Sequence, residues 1–424
     1  MRIKSRFVLA GLVGIVAVAL NSCTTTSSIT NNPTTGFMWV TTEGDQMVRS
    51  FTIALSNGAT TQVGNGVATG LGPVAMALTP SGTALFVANR DDNTVSVYGV
   101  NSDGSLTVPC PSSSPSCTIV TVATGQAPVA LAIDPPGKLL FVANSGSDTI
   151  SVFSIQGTGL TFLTSFASDP TSVTPTGPAS VVVSPAGFAC QVLITAQPET
   201  CYFLYAANQV TSTVSAFAYF VDSNGNFVTG SVDSSGNITP GGNVANSPFA
   251  AGTNPVGLAF SRCAGTSTVT TDCPTAAPPQ YLLVANNGSN NISVFSACTQ
   301  VTTACPSADG GLSPVPGSPV AAGLHPVSFI VNPARDLVFA VDNWSSQVSE
   351  YKYSSATGFL SPLSPWASTG SYPLSGGITS DGNWVFVPNN NGSTLSAYSV
   401  GASGQLNAET AITLVAQPSA VLIR

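Results

Sequence analysis

One histidine and one arginine stand where this sequence could do chemistry. His325 is the single histidine among 424 residues, and Arg90 is the single basic residue in a set of short turns that otherwise carry acids. Paired, they could activate water and steady an oxyanion, the two needs of a hydrolytic step, and they are the catalytic candidates. The acids of the same turns are Glu43, Asp45, Asp91, Asp92, Asp148 and Asp342, six of the chain's 18, and Trp344 stands among them. Clustered carboxylates focus a negative potential that would draw a cation, an amine or a basic partner. Asp and Asn also build turns with no further role. With one His, a Cys/His zinc site has no footing and no metal is expected. No GxSxG, GxxxxGK or HExxH occurs, and no cofactor is expected. "DSNGN" at Asp222 has the start of a calcium loop but carries Phe227 where such a loop needs glycine.

The sulfur chemistry points to export. Residues 1–22 read as a signal segment: Arg2, Lys4 and Arg6 precede an uncharged apolar run from Phe7 to Leu20 that is short for a membrane span. The run ends in "LNSC", similar to a bacterial lipobox, which makes Cys23 the expected lipidated residue. The other eight cysteines fall into neighbours, Cys110 with Cys117, Cys190 with Cys201, Cys263 with Cys273 and Cys298 with Cys305. Short local disulfides in an oxidising compartment are expected. The expected location is the bacterial cell envelope, periplasm or outer surface, with membrane contact through the lipid anchor alone.

Composition narrows the partners. Net charge is −8, and removing residues 1–22 leaves seven basic residues against 18 acids. Such a chain offers no footprint for a nucleic-acid backbone. Charged residues make up only 7%, far below the usual quarter, so few carboxylates are available to destabilise the fold on acidification and tolerance of acid is expected.

The elements that must position these residues come from an internal repeat. "GPVAMALTPSGTALFVANRDDNTVSVYGVNSDGSL" from Gly72 returns as "APVALAIDPPGKLLFVANSGSDTISVFSIQGTGL" from Ala127. Further copies start at Gly177, Asn254, His325 and Tyr372, two of them interrupted by insertions. The C-terminal "QPSAVLIR" from Gln417 matches only the opening of a unit, and "FMWVTTEGDQMVRSFTI" from Phe37 matches only the remainder. Each unit reads as four short strands punctuated by Gly and Pro turns, without helical periodicity. The reading is an all-β, seven-bladed β-propeller, closed by pairing the N-terminal and C-terminal strands in one blade so that neither edge stays open. The expected organisation is a signal peptide over 1–22, a flexible tether over 23–36 and the propeller over 37–424.

The repeat resembles the Tyr-Val-Thr-Asn type of propeller motif, in "FVANRDDNTVSVY" and "FVANSGSDTISVF", and with its "P…SPxG" opening the whole unit is similar to the lactonase-like seven-bladed propellers, which include 6-phosphogluconolactonase and carboxy-muconate cyclase relatives. The resemblance implies that active members place His, Arg and Glu side chains around a central opening. In this chain the Asn that ends the second strand is followed by "RDD", "SGS", "QVT" or "NGS" instead of Glu.

In a propeller the first strand of each blade lines the axis. The second-to-third turns and the blade connections share one face, which takes His325, Arg90, Trp344 and the six acids. The recurring Asn89, Asn144, Asn208, Asn286 and Asn389 are read as structural. The four disulfides are expected in first-to-second or third-to-fourth connections, on the opposite face. The leading expectation is an envelope-anchored, monomeric binding or interaction module for an unidentified small molecule, envelope protein or polysaccharide. The alternative is a metal-independent lactone hydrolase or cycloisomerase acting on a sugar or organic-acid lactone.

Overall fold

The structure, a computed structural model, describes residues 34–110, 117–192, 198–222, 226–233, 237–240, 243–261, 280–299 and 308–424. The expected signal segment, Cys23, and Cys263, Cys273 and Cys305 lie outside the described residues.

The protein is an all-β propeller. Among the described residues the strands form seven sheets. The unit from Ala127 shows why its residues build one. Its first two strands, Pro128–Ile133 and Leu139–Asn144, are buried along their whole length, whereas the fourth, Gly159–Ala167, is exposed or half-exposed throughout. Nearly continuous apolar runs therefore sit at the centre and alternating polar ones at the rim. The strands pair antiparallel, with Phe141 opposite Val152 in the second and third. Six of the seven first strands begin with proline, at a position that donates nothing to the ladder.

The innermost strands pack side by side in succession: Pro73–Leu78, Pro128–Ile133, Pro178–Val183, Pro255–Phe260, Pro326–Val331, Gly377–Ile378 and Pro418–Ile423, with the last meeting the first. Pro418–Ile423 pairs antiparallel with Thr35–Thr42, Val40 facing Val421 and Trp39 facing Leu422. That strand starts at Thr35, so Thr35 and Gly36, read from sequence as tether, already belong to the sheet.

The largest departure from a plain four-stranded sheet follows Gly177. The hairpin Phe188–Val192 with Pro198–Asn208, and the pair Phe227–Val232 with Asn237–Pro240, join into one circuit. Phe188–Val192 pairs parallel with Asn237–Pro240, which pairs with Phe227–Val232, which pairs with Thr213–Val221, which returns to Pro198–Asn208. Phe188, Phe203, Phe220, Val232 and Ile238 fill it, and Phe188 stacks on Phe203 with ring centroids 4.6 Å apart.

Cys190 and Cys201 are joined across this hairpin, within a first-to-second connection as expected. Cys110 and Cys117 are also joined, but their place differs from the sequence reading. They fall between Leu106–Thr107 and Thr121–Ala123, both of which pair with Thr94–Val100, so the bridge interrupts the outermost strand itself. Cys298 is disulfide-bonded; its expected partner is outside the described residues.

Candidate functional site

The residue that follows the second strand of each unit is tied to the entry of the innermost strand of its sheet. In chain order these are Glu43, Arg90, Ser145, Gln209, Asn287, Asn343 and Asn390. Each backbone N–H donates to the carbonyl of the residue before the first-strand proline of its own sheet: Gln417, Gly72, Ala127, Gly177, Asn254, His325 and Tyr372, at 2.9–3.2 Å. This repeated bond makes two concentric rings around one end of the axis. At six of the seven accepting residues, from Gly72 to Tyr372, the backbone is left-handed, with φ from 50° to 64°. Glycine takes that conformation freely and other residues at a cost. His325 does so at φ 55°, but Ala127 and Tyr372 do the same, so its strain belongs to the architecture.

Neighbouring side chains of the first ring touch at this end of the axis, here called the mouth. Arg90 lies 3.7 Å from Glu43 and grips Asp91 with two hydrogen bonds, 2.8 and 3.3 Å. Asn390 donates to Glu43 at 3.5 Å and to the Pro418 carbonyl at 3.1 Å. Gln209 donates to the Ser145 hydroxyl at 3.2 Å. Burial pushes the Glu43 carboxyl above its ordinary value of 4.5; the Arg90 charge and the Asn390 hydrogen bond oppose the rise, and the Asp91 charge adds to it. The hydrogen bonds to Asp91 hold the Arg90 proton more firmly than usual, against burial.

His325 is oriented by Asn287. The amide Nδ2 of Asn287 faces the Pro326 carbonyl, 3.5 Å away, which can only accept, so its Oδ1 is turned to His325 Nδ1 at 2.9 Å. Nδ1 therefore carries a proton, and in the neutral ring Nε2 is an acceptor. The imidazole stacks on Trp344, centroids 4.7 Å apart and planes at 29°. His325 and Arg90 are not brought together: their first strands are separated by those of two further sheets in the succession. The carboxylate of Glu43 is the group that meets Arg90.

The remaining acids of the expected rim are turn builders. Asp92 accepts from the Leu71 N–H at 2.6 Å, and Asp148 from those of Thr176 and Gly177 at 2.8 and 2.7 Å. Asp45 is held by Arg49 and Thr42, which corrects the reading of Arg90 as the lone opposing charge. Asp342 is a second correction. It is wholly buried, at the position of the recurring Asn, and accepts from Ser349, so it does not belong to an exposed rim. The Asn residues are structural, as read: Asn89, Asn144, Asn208, Asn286 and Asn389 each donate to a third-strand serine at 2.8–2.9 Å.

Sequence reasoning missed the mouth roles of Ser145, Gln209, Asn287, Asn343 and Asn390, and it missed that Glu43 fills the same repeat position as Arg90. The first unit has Thr42 where the others have Asn or Asp, so the comparison with "FVAN" passed over the residue after it.

The family model described as "Lactonase, 7-bladed beta-propeller" matches residues 15–122. No curated protein matches the chain. Among solved structures, one from Bacteroides fragilis, proposed to be a 6-phosphogluconolactonase, is 18% identical with a TM-score of 0.66, covering 93% of this chain and 99% of that one. The Pseudomonas aeruginosa periplasmic gluconolactonase PpgL is 15% identical with a TM-score of 0.63, covering 92% and 99%. At these identities the solved structures establish likeness of fold. By its repeat, its family-model match and its fold, the chain resembles the lactonase-like β-propellers.

Proposed function

We propose that this protein is a seven-bladed, ring-closed propeller that hydrolyses a sugar or organic-acid lactone at the mouth formed by Glu43, Arg90, Asp91 and Asn390. The observation that carries the proposal is the Glu43–Arg90 pair, a half-buried carboxylate of raised basicity 3.7 Å from a guanidinium. Lactone opening needs a base for water and a cation for the developing oxyanion. Glu43 takes a proton from water as its oxygen adds to the lactone carbonyl carbon. The carbonyl oxygen becomes an oxyanion beside Arg90. Its collapse breaks the ring C–O bond, and the proton held by Glu43 passes to the departing ring oxygen, giving the open hydroxy acid. The family-model match and the gluconolactonase named among the similar folds favour this reading over an interaction module. Export to an oxidising compartment remains part of the proposal, supported by the disulfides Cys110–Cys117 and Cys190–Cys201; the lipid on Cys23 is proposed from the "LNSC" sequence alone.

The test is proton release from D-glucono-1,5-lactone, above the spontaneous rate, by the purified protein and by Glu43→Gln and Arg90→Ala. We expect catalysis in the parent and losses of about 100-fold or more in kcat/KM for each variant. A parent that opens no sugar or organic-acid lactone, or a Glu43→Gln protein of full activity, rejects the assignment.

A further inference from the structure

We propose that Trp344 is the stacking platform for the ring of an uncharged sugar lactone, and that the mouth selects against its phosphorylated counterpart. The inference rests on the lactonase reading and names its substrate class. Trp344 is 68% exposed, unusual for the largest apolar side chain. Its place in the repeat is taken by Gly44, Gly146 and Gly288 in three other units, so the turn does not require bulk there. The indole is nonetheless built in. The His325 imidazole covers one of its faces, and Asn287 fixes that imidazole at 2.9 Å. A preorganised aromatic plane with one face covered and the rest open is suited to the apolar C–H face of a sugar ring, while the surrounding amides meet the hydroxyls.

The charge at the mouth decides the second half. Arg90 is already matched by two carboxylates, Glu43 and Asp91. Arg49 is buried against Asp45. Lys138 and Arg335 lie in first-to-second turns, and Lys352 and Arg424 pair with residues at that same far end, Leu337 and Phe37. Among the described residues no uncompensated cation stands at the mouth for a phosphate, which would enter a negative field.

The probes are D-glucono-1,5-lactam, an uncharged and hydrolytically stable isostere of the lactone, and its 6-phosphate. Binding is followed by calorimetry to the parent, Trp344→Ala and Trp344→Phe, with thermal melts to verify folding. We expect the lactam to bind the parent at least tenfold more tightly than Trp344→Ala, with Trp344→Phe recovering most of the difference, and the 6-phosphate to bind the parent more weakly than the lactam. Absence of lactam binding to the parent, equal binding to Trp344→Ala, or tighter binding of the 6-phosphate overturns the inference. The two proposals separate cleanly. Lactone opening that survives Trp344→Ala with unchanged KM sinks the platform and leaves the reaction standing. Trp344-dependent lactam binding without any lactone opening does the reverse.

Discussion

Phe37 and Arg424 exchange a pair of backbone hydrogen bonds, each 2.9 Å, so the first described strand and the final strand of the chain share one sheet edge. Every other sheet is made of strands local in sequence, whereas this one closes over almost the whole chain. Val421 and Ile423 lie in the same core cluster as Met38, Val40 and Phe386, so the joint also seals the contact with the preceding sheet.

Weakening that joint should therefore cost more than its size suggests. Ile423→Ala removes a buried side chain and is expected to lower unfolding free energy by about 2–4 kcal/mol. Deleting residues 418–424 leaves the edge of Thr35–Thr42 unpaired, and the truncated chain should lose its single cooperative transition and associate through that edge. Denaturant unfolding with light scattering reads both. A deletion variant with the parent's midpoint would show that the joint does not hold the wheel.

The pH profile of lactone opening should follow Glu43. As a base it works ionised, so kcat/KM rises with pH through a value above the ordinary 4.5, because burial raises the carboxyl. Its neighbours move that limb in opposite directions. Asp91→Asn removes a charge that raises Glu43, and the limb shifts to lower pH. Asn390→Ala removes a hydrogen bond that stabilises the carboxylate, and the limb shifts to higher pH. Profiles that stay superimposed would assign the limb to another group.

Asp342 should make the fold most stable in mild acid. Burial pushes its carboxyl up to about 7, against hydrogen bonds from Ser349 and Gln347, and burial likewise raises Asp134 to about 6 and Glu350 to about 7. In the unfolded chain these acids ionise near their ordinary values, so between about pH 4 and 7 the unfolded state binds fewer protons than the folded one. Stability then falls as pH rises through this window and levels off above it. Asp342→Asn restores the residue found in five other units, whose amide donates to the equivalent serine. We expect it to raise stability at pH 8 by about 2 kcal/mol or more, with little change at pH 4 to 5. Melting temperatures across pH measure it; a parent that is less stable at pH 5 than at pH 8 contradicts the sign.

The repeat made the architecture legible, because strand order, turns and the split unit are all written in apolar spacing and in Gly and Pro. The mouth was half legible. Trp344 stood out since a turn seldom carries an exposed indole, and Arg90 since it was the lone cation among turn acids. Glu43 was legible as one of the turn acids, but Thr42 hid its equivalence to Arg90, and the tie between His325 and Asn287 crosses from one sheet to the next, which no local pattern encodes. Asp342 looked like its acidic neighbours; only its burial, a property of the assembled sheet, separates it from them. The expected acid tolerance rested on scarce carboxylates, whereas the structure supplies a different cause in buried ones of raised pKa.

The bridges Cys190–Cys201 and Cys110–Cys117 should differ in what they hold. Cys190 and Cys201 are buried among Phe188, Phe203 and Ile238 and span a separation of 11 residues. Restricting the unfolded chain over that loop contributes about 3 kcal/mol in the chain-entropy account, and replacing both by Ala also leaves a void inside the extra strand circuit. Cys110 and Cys117 span seven residues and are half-exposed at an interruption of an outer strand. Their loss should cost about 2 kcal/mol from the loop alone, with no packing penalty. The double variant Cys190→Ala/Cys201→Ala is thus expected to be the less stable of the two in urea, and to lose far-ultraviolet strand signal from the circuit before the remaining sheets unfold. Lactone opening at the mouth should survive in both, because the hairpin of Cys190 and Cys201 lies beyond the ends of the strands opposite Glu43 and Arg90. Equal midpoints for the two double variants, or activity lost with the circuit intact, would place the strain of folding elsewhere.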